Sequence, residues 1–520
     1  MPVPPSITTP TSVENKPTGP VSHPVSHPVS RIVGPKLVSS TDPSSGSSGK
    51  SLDLLKYVDA DAGNADRLIA RHGHELRYCP DFKRWLLWDG RRWAICEHSE
   101  ARDKVRSTMQ AFQIRANAED LTEKVKFAEH SQNARPCDNC LTMAEHRLSV
   151  RSSALDTHSN MLNFTNGTVA LSNGLLYPHD PLLYITKLIH SPYDPNASCP
   201  NFLRFLSQIF PNSPDLQSFL LRAFGYAMTG MTSERCIFFC VGTGSNGKST
   251  LLSLFQTLIA EYSCNIKISS LTDTTDSAAR SSDLSDLRGV RFARTSESGK
   301  QKTWDEAVIK LCTQGAGGLL KVKRMHRDHF EIPETYKIWV DTNHLPKFDS
   351  GDIDDRNNQA LWSRLYLLPF DACIPDDRQD RDLFAKLQIE APGILALCVE
   401  EAMGYNLDGL GAIPDEVRRA GKRWRAKSDP VASFVKNCTN PCGSVLAGDL
   451  HKAYLARSIE ENERWPLGVT QFGRRIDALA YVRKGTTHGR TRYDGISLRL
   501  RSGRVGITAA EQTSGGDEDE

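Results

Sequence analysis

The spacing of apolar positions changes several times along the chain, and each change marks a different kind of element. Residues 1–50 have no period at all. Pro, Ser, Thr and Val dominate there, a Val-Ser-His-Pro repeat runs from Val21 to Ser30, and large apolar groups are too few to offset ordering entropy, so a disordered tail is expected. Residues 51–153 read as mostly helical. The interruption is Phe82-Lys-Arg-Trp-Leu-Leu-Trp-Asp-Gly-Arg-Arg-Trp93, where Asp89-Gly90 is a two-residue hairpin signal. Trp85, Trp88 and Trp93 then share one small sheet, packed against helices rather than stacked on bases. Further on, four short runs at 236–241, 290–296, 336–342 and 365–370 read as strands; the first and last are apolar throughout, with the length and continuity of buried parallel strands, and the middle two lead to a polar residue at their ends.

Near the C-terminus the pattern becomes helical again. Residues 448–463 read as one helix and 470–479 as another, with Thr470 as N-cap and with Arg474 and Arg475 facing outward. Residues 481–484 and 490–500 read as two strands about a Gly-containing turn. Helices followed by a two-stranded wing point to a winged helix at 429–505, whose recognition helix would enter the major groove of double-stranded DNA. The acidic end, Asp517 to Glu520, reads as a second tail within 506–520.

At 520 residues, 39% of them hydrophobic, the chain has room for two to four packed domains. Its net charge of only +2 conceals a local excess. Between Arg418 and Arg504 there are 19 Lys and Arg against 7 Asp and Glu, a surplus of 12 and a nucleic-acid footprint. An odd 13 cysteines and no basic-then-apolar N-terminus imply a reducing cytoplasm, and no apolar run is long enough for a bilayer. Cys137-Asp-Asn-Cys140, between His130 and His146, has half of a zinc pattern; paired free thiols on a helix are the plainer reading.

The chemistry begins after the first apolar run. Gly242-Thr-Gly-Ser-Asn-Gly-Lys-Ser249 comes directly after it, and Thr250 opens a helix-like stretch to Tyr262. Strand, Gly-rich loop, Lys-Ser and helix make a complete Walker A motif. Gly242, Thr243, Gly244, Ser245, Asn246 and Gly247 can fold the backbone around phosphates, Lys248 can reach the β/γ oxygens of ATP, and Ser249 can complete a Mg2+ shell. A kinase, a GTPase and a motor all use such a loop, so residues further downstream must discriminate among them. Glu297 ends the second apolar run, where an acid can orient the attacking water. Asn343 ends the third, where an amide can sense the γ-phosphate. Arg364 precedes the fourth and offers a guanidinium.

Together with these residues, Thr342-Asn-His-Leu-Pro346 and Arg364-Leu-Tyr-Leu-Leu-Pro-Phe370 resemble the superfamily 3 helicases of phage and plasmid primase–helicases and their poxvirus relatives. The resemblance extends to Gly63–Gly73, Leu155–Asn163, Asn166-Gly167, Tyr193–Ala197, Cys199-Pro200, Ala391–Leu395 and Ser428–Pro430. It implies an α/β fold: an AAA+-like P-loop ATPase core at 205–375, a linker at 154–204, a helical lid at 376–428, a mainly helical N-terminal domain at 51–153 and the C-terminal winged helix. It also implies a homo-oligomer, a hexameric ring, that hydrolyses ATP and moves along single-stranded DNA. Lys248 and Ser249 would bind MgATP, Glu297 would activate water, Asn343 would sense the γ-phosphate, and Arg364 would act as an arginine finger. Lys321, Lys323, Arg324, His326 and Arg327 fall where such motors project a hairpin toward DNA. The family's Gly-Gly-Asp near that hairpin is replaced by Gln314-Gly-Ala-Gly-Gly318, without the acid. No primase fold is expected before residue 51, so a separate primase and other replication proteins are the expected partners. A replication initiator or loader that binds DNA without processive unwinding is the alternative, and a P-loop phosphotransferase a more distant one.

Overall fold

The computed structural model describes residues 53–272, 276–296, 303–323, 329–345, 347–348, 355–427, 430–460 and 466–499. Both expected tails lie outside these residues. Helix α1 (Asp61–His72) is followed by strands β1 (Leu76–Cys79), β2 (Arg84–Trp88) and β3 (Trp93–Cys96), then by α2 (His98–Ala118), α3 (Thr122–Ser131) and α4 (Ala134–Glu145). The strands form an antiparallel sheet in chain order. Its turn is longer than the two residues expected: Trp88 pairs with Trp93, and Asp89 Oδ1 accepts the N–H groups of Arg91 and Arg92 across a four-residue loop. Trp85 and Trp93 are buried, in keeping with a packing role. Cys137 and Cys140 are both buried on α4, where burial pushes the Cys140 thiol up to about 12.

Residues 154–204 are more than the expected linker. They fold into a three-stranded antiparallel sheet of β4 (Met161–Phe164), β5 (Gly167–Ala170) and β6 (Leu175–Tyr177). Leu162, Phe164, Val169 and Tyr193 then join one continuous core with α5 (Pro200–Ile209) and α6 (Pro214–Met228).

The central layer is built from β7 (Ile237–Val241), α7 (Lys248–Leu258), β8 (Ser263–Asn265), α8 (Ser277–Leu284) and β9 (Phe292–Ser296). After the two-residue β10 (Thr303–Trp304) come α9 (Glu306–Leu311), β11 (Leu319–Lys323), β12 (His329–Pro333) and β13 (Lys337–Thr342). Next are β14 (Lys347–Phe348), α10 (Asp355–Trp362) and β15 (Leu365–Pro369). Five strands form one parallel sheet in the order β15-β7-β13-β9-β8. Alternate residues of β7 serve opposite faces: Phe238 and Cys240 enter the core with α6 and α7, whereas Ile237 and Phe239 enter a second core with Trp304 and Trp424. Both faces are covered, which is why the run is apolar throughout rather than alternating.

Helices α11 (Leu383–Ile389) and α12 (Ala391–Asp408) join the core shared with α6 and α7, whereas α13 (Asp415–Lys427) carries Ala420 and Trp424 into the second core. Helix α12 packs on α6 so closely that a Cβ at Gly225 would meet the Ala402 nitrogen at 2.5 Å, and Arg222 pairs with Glu401 at 2.7 Å beside that contact.

The last segment runs α14 (Pro430–Cys438), β16 (Thr439–Asn440), β17 (Ser444–Leu446), α15 (Ala447–Glu460), α16 (Val469–Asp477), β18 (Arg483–Thr487), β19 (Arg490–Asp494) and β20 (Ser497–Leu498). Strands β17, β19 and β18 form an antiparallel sheet, with His488 and Gly489 at positive φ in the β18–β19 turn. Three details differ from expectation. Helix α16 starts at Val469 with Gly468 as N-cap, not at Thr470. Arg474 is exposed but Arg475 is half-buried, because successive helical residues point about 100° apart and cannot share one outward face. The expected strand at 490–500 breaks at Gly495, whose φ is +94°.

Candidate functional site

The loop at 242–247 sits at the C-terminal edge of the parallel sheet, between β7 and α7. Its shape is fixed from both sides. The N–H of Gly242 donates to the Thr342 carbonyl at 3.4 Å, the Asn246 amide donates to the Phe370 carbonyl at 3.0 Å, and the N–H of Ile374 donates to the Ser245 carbonyl at 2.8 Å. Gly247 has φ +74° and lies against Phe205 and Ile209, so a side chain there would be both strained and blocked. Gly244, at φ +109°, faces open space. Helix α7 starts at Lys248 and presents its first-turn N–H groups to this space, as an anion site requires.

Lys248, Ser249 and Asn343 come together here. The buried Lys248 ammonium donates to Asn343 Oδ1 at 2.7 Å, to the Thr342 carbonyl at 3.0 Å and to the Gly242 carbonyl at 3.2 Å. Asp341 is the residue that the sequence reading missed. Its carboxylate accepts from Ser249 Oγ at 2.8 Å and lies 3.2 Å from Lys248 Nζ and 2.9 Å from an Arg294 nitrogen. The signal is a carboxylate directly after the apolar Ile338-Trp-Val340, which needs a partner wherever it is buried. A hydroxyl beside a carboxylate is a hard-oxygen donor set of the kind Mg2+ takes, so these side chains fit that ion. Thr243 lies within the loop and Thr250 in the first turn of α7. Thr250 also lines a cleft of about 280 Å³ with Phe205, Gln208, Gln379, Leu383 and Lys386.

Glu297 lies outside the described residues, directly after β9. Arg364 precedes β15, at the end of the sheet opposite the loop. Five parallel strand residues at about 3.3 Å each put it roughly 16 Å away along the strand. Its guanidinium donates to the Ala360 carbonyl on α10, and its Nε is buried without a partner.

Strands β11 and β12 form an antiparallel hairpin in which Lys323 pairs with His329. Leu320 and Val322 are buried while Lys321 and Lys323 stand on the exposed face; Arg324, His326 and Arg327 lie outside the described residues. The turn that leads into β11 lacks an acid of its own, and Glu334 supplies one from beyond β12. Its carboxylate accepts the N–H groups of Gln314 at 2.9 Å and Gly315 at 3.2 Å. Burial outweighs these donors and the nearby Lys337 and Arg235, and pushes the Glu334 carboxyl up to about 7.

Residues 65–211 match the family described as D5 N terminal like, and residues 240–357 match one described as a family of unknown function. Residues 65–211 are similar to the D5 N terminal like domain. The chain is 25% identical over 278 residues to "Putative helicase 184R" of Invertebrate iridescent virus 6, which covers 51% of this chain and 28% of that protein. It is also 25% identical over 341 residues to "Putative helicase 022R" of Frog virus 3, covering 62% of this chain and 34% of that protein. The chain thus spans about a third of the length of these relatives. Among solved structures, the apo NrS-1 C-terminal region aligns over 81% of this chain and 96% of that one, at 10% identity and a TM-score of 0.43. No helix among the described residues is long and apolar enough to cross a membrane.

Proposed function

We propose that this chain is the ATP-driven motor of a superfamily 3 DNA helicase that serves the replication of a phage, plasmid or other mobile element. The observation that carries the proposal is the convergence of Lys248, Ser249 and Asn343 at the sheet edge around a loop open on the side of Gly244. MgATP supplies the bond whose hydrolysis drives movement. In that site Lys248 exchanges its present oxygen partners for β/γ-phosphate oxygens, Ser249 offers its hydroxyl to Mg2+, and Asn343 contacts the γ-phosphate. Glu297 orients water, and the cleft beside Phe205 and Leu383 takes the base.

Arg364 is too far from its own loop to reach that phosphate, which suits a finger donated to a neighbouring subunit of a hexamer. Lys321 and Lys323, with Arg324, His326 and Arg327, grip single-stranded DNA by its phosphates. The order of α14, β17, α15, α16, β18 and β19 supports a winged helix, with the exposed Arg474 toward duplex DNA. That basic module equally favours a second reading, an initiator that uses ATP to assemble on duplex without separating its strands. The test of the site is phosphate release with and without single-stranded DNA. DNA-stimulated hydrolysis that Lys248→Ala abolishes supports the proposal, and hydrolysis indifferent to both DNA and that substitution contradicts it.

A further inference from the structure

Asp341 is only 5% exposed, within a strand buried along its whole length. An ionised group there costs several kcal/mol unless its surroundings compensate. One guanidinium would satisfy a purely structural carboxylate. Here the same carboxylate also accepts the hydroxyl proton of Ser249 at 2.8 Å and lies 3.2 Å from Lys248 Nζ, so that its three side-chain partners include both polar residues of the Lys-Ser pair. Arg294 reaches on to Ser253 Oγ at 2.6 Å and thereby ties Asp341 to the second turn of α7. In register, Asp341 stands opposite Ser296, the last residue of β9, so its carboxylate occupies the level at which β9 ends and Glu297 begins the next segment.

We infer that Asp341 is a positioning residue for the divalent cation: it holds the Ser249 hydroxyl by its proton, so that the oxygen lone pairs are left for nucleotide-bound Mg2+. A serine hydroxyl has one proton to donate and two lone pairs to offer, and fixing the first orients the second. The chain therefore supports its cation from β13, the strand that Asn343 follows, while Glu297, which follows β9 in the sequence, is left for water. The inference rests on the ATP reading of the site.

The experiment measures binding of a fluorescent ADP analogue to the full chain in excess Mg2+ and in EDTA. Wild type should bind more tightly with Mg2+. Asp341→Asn should bind within about twofold of wild type in EDTA yet lose roughly tenfold of the Mg2+ enhancement, the scale on which partners of metal ligands act. Ser249→Ala should lose the same enhancement, with no further loss in the double variant. Asp341→Asn/Arg294→Gln removes both members of the buried pair, strands neither charge, and should repeat the result if the single variant unfolds. Full Mg2+ enhancement in these variants overturns the inference and leaves the ATP reading standing. Equal loss of binding with and without Mg2+ also overturns it, since Asp341 would then serve Lys248 alone. Wild type that binds no nucleotide in either condition overturns the ATP reading and this inference together.

Discussion

Lys248 is both buried and fully partnered, so its removal has two separable consequences. Lys248→Ala should abolish ATP hydrolysis, because the charge that would meet the β/γ-phosphate oxygens is lost. It should also cost about 1–3 kcal/mol of stability, since Asn343 and two carbonyls lose a charged donor while Asp341 keeps Arg294 and Ser249. Phosphate release and a urea titration on the same preparation check both; retained turnover would show that the lysine is not directed at phosphate. Glu334 carries a pH dependence whose sign is set by its raised folded value. Between the ordinary glutamate range and about 7 the folded chain holds a proton that the unfolded chain has released. This contribution to stability is therefore complete in acid, falls as pH rises through that window, and is flat above it. Glu334→Gln should flatten the fall, so that the urea midpoint of the variant gains on wild type between about pH 5 and about pH 8; an unchanged gap would mean that the carboxylate is already ionised when buried. At this scale the sequence was legible where one residue type has one use, as at Lys248 and Ser249. Asp341 was not, because its role depends on the lateral neighbours of β13, and lateral pairing between strands leaves no local period in the sequence.

The hairpin shows what a pattern of elements can carry. Alternation along β11 buries Leu320 and Val322 and exposes Lys321 and Lys323, so the cations can be removed with little effect on packing. Lys321→Ala/Lys323→Ala should leave thermal unfolding within about 1 °C of wild type, weaken single-stranded DNA binding, and lower its salt slope by roughly 1.4, or about 0.7 for each phosphate no longer neutralised. Weaker affinity at unchanged slope would place the two lysines away from phosphate. The apolar runs at 236–241 and 365–370 foretell their strands well because both faces of a covered parallel sheet are apolar, whereas 290–296 and 336–342 carry buried Arg291, Lys337 and Asp341 among their apolar residues. Strands β4 to β6 were taken for linker, because runs of three or four residues containing Asn163 and Thr168 show neither a full apolar run nor a clear alternation. Their polar side chains are instead satisfied inward: Thr168 Oγ1 donates to Asn163 Oδ1 at 3.0 Å, and both residues are buried.

For the whole molecule, the position of Arg364 separates a chain that hydrolyses ATP alone from one that needs a neighbour. It stands at the edge of the sheet remote from its own loop, and a finger supplied across an interface contributes about 10³–10⁵ in rate. Arg364→Ala and Lys248→Ala should each be inactive by themselves. Mixed, they should recover a fraction of wild-type turnover, because some interfaces then join an intact loop to an intact arginine. No recovery in rings shown by native gels to contain both would return Arg364 to a role within its own subunit. The most direct measurement on the account as a whole is strand displacement from a forked DNA duplex, followed by fluorescence while phosphate release is recorded on the same sample. Displacement should require ATP and Mg2+, proceed with DNA-stimulated phosphate release, and vanish in Lys248→Ala. Duplex binding and ATP hydrolysis with no separation of strands would contradict it.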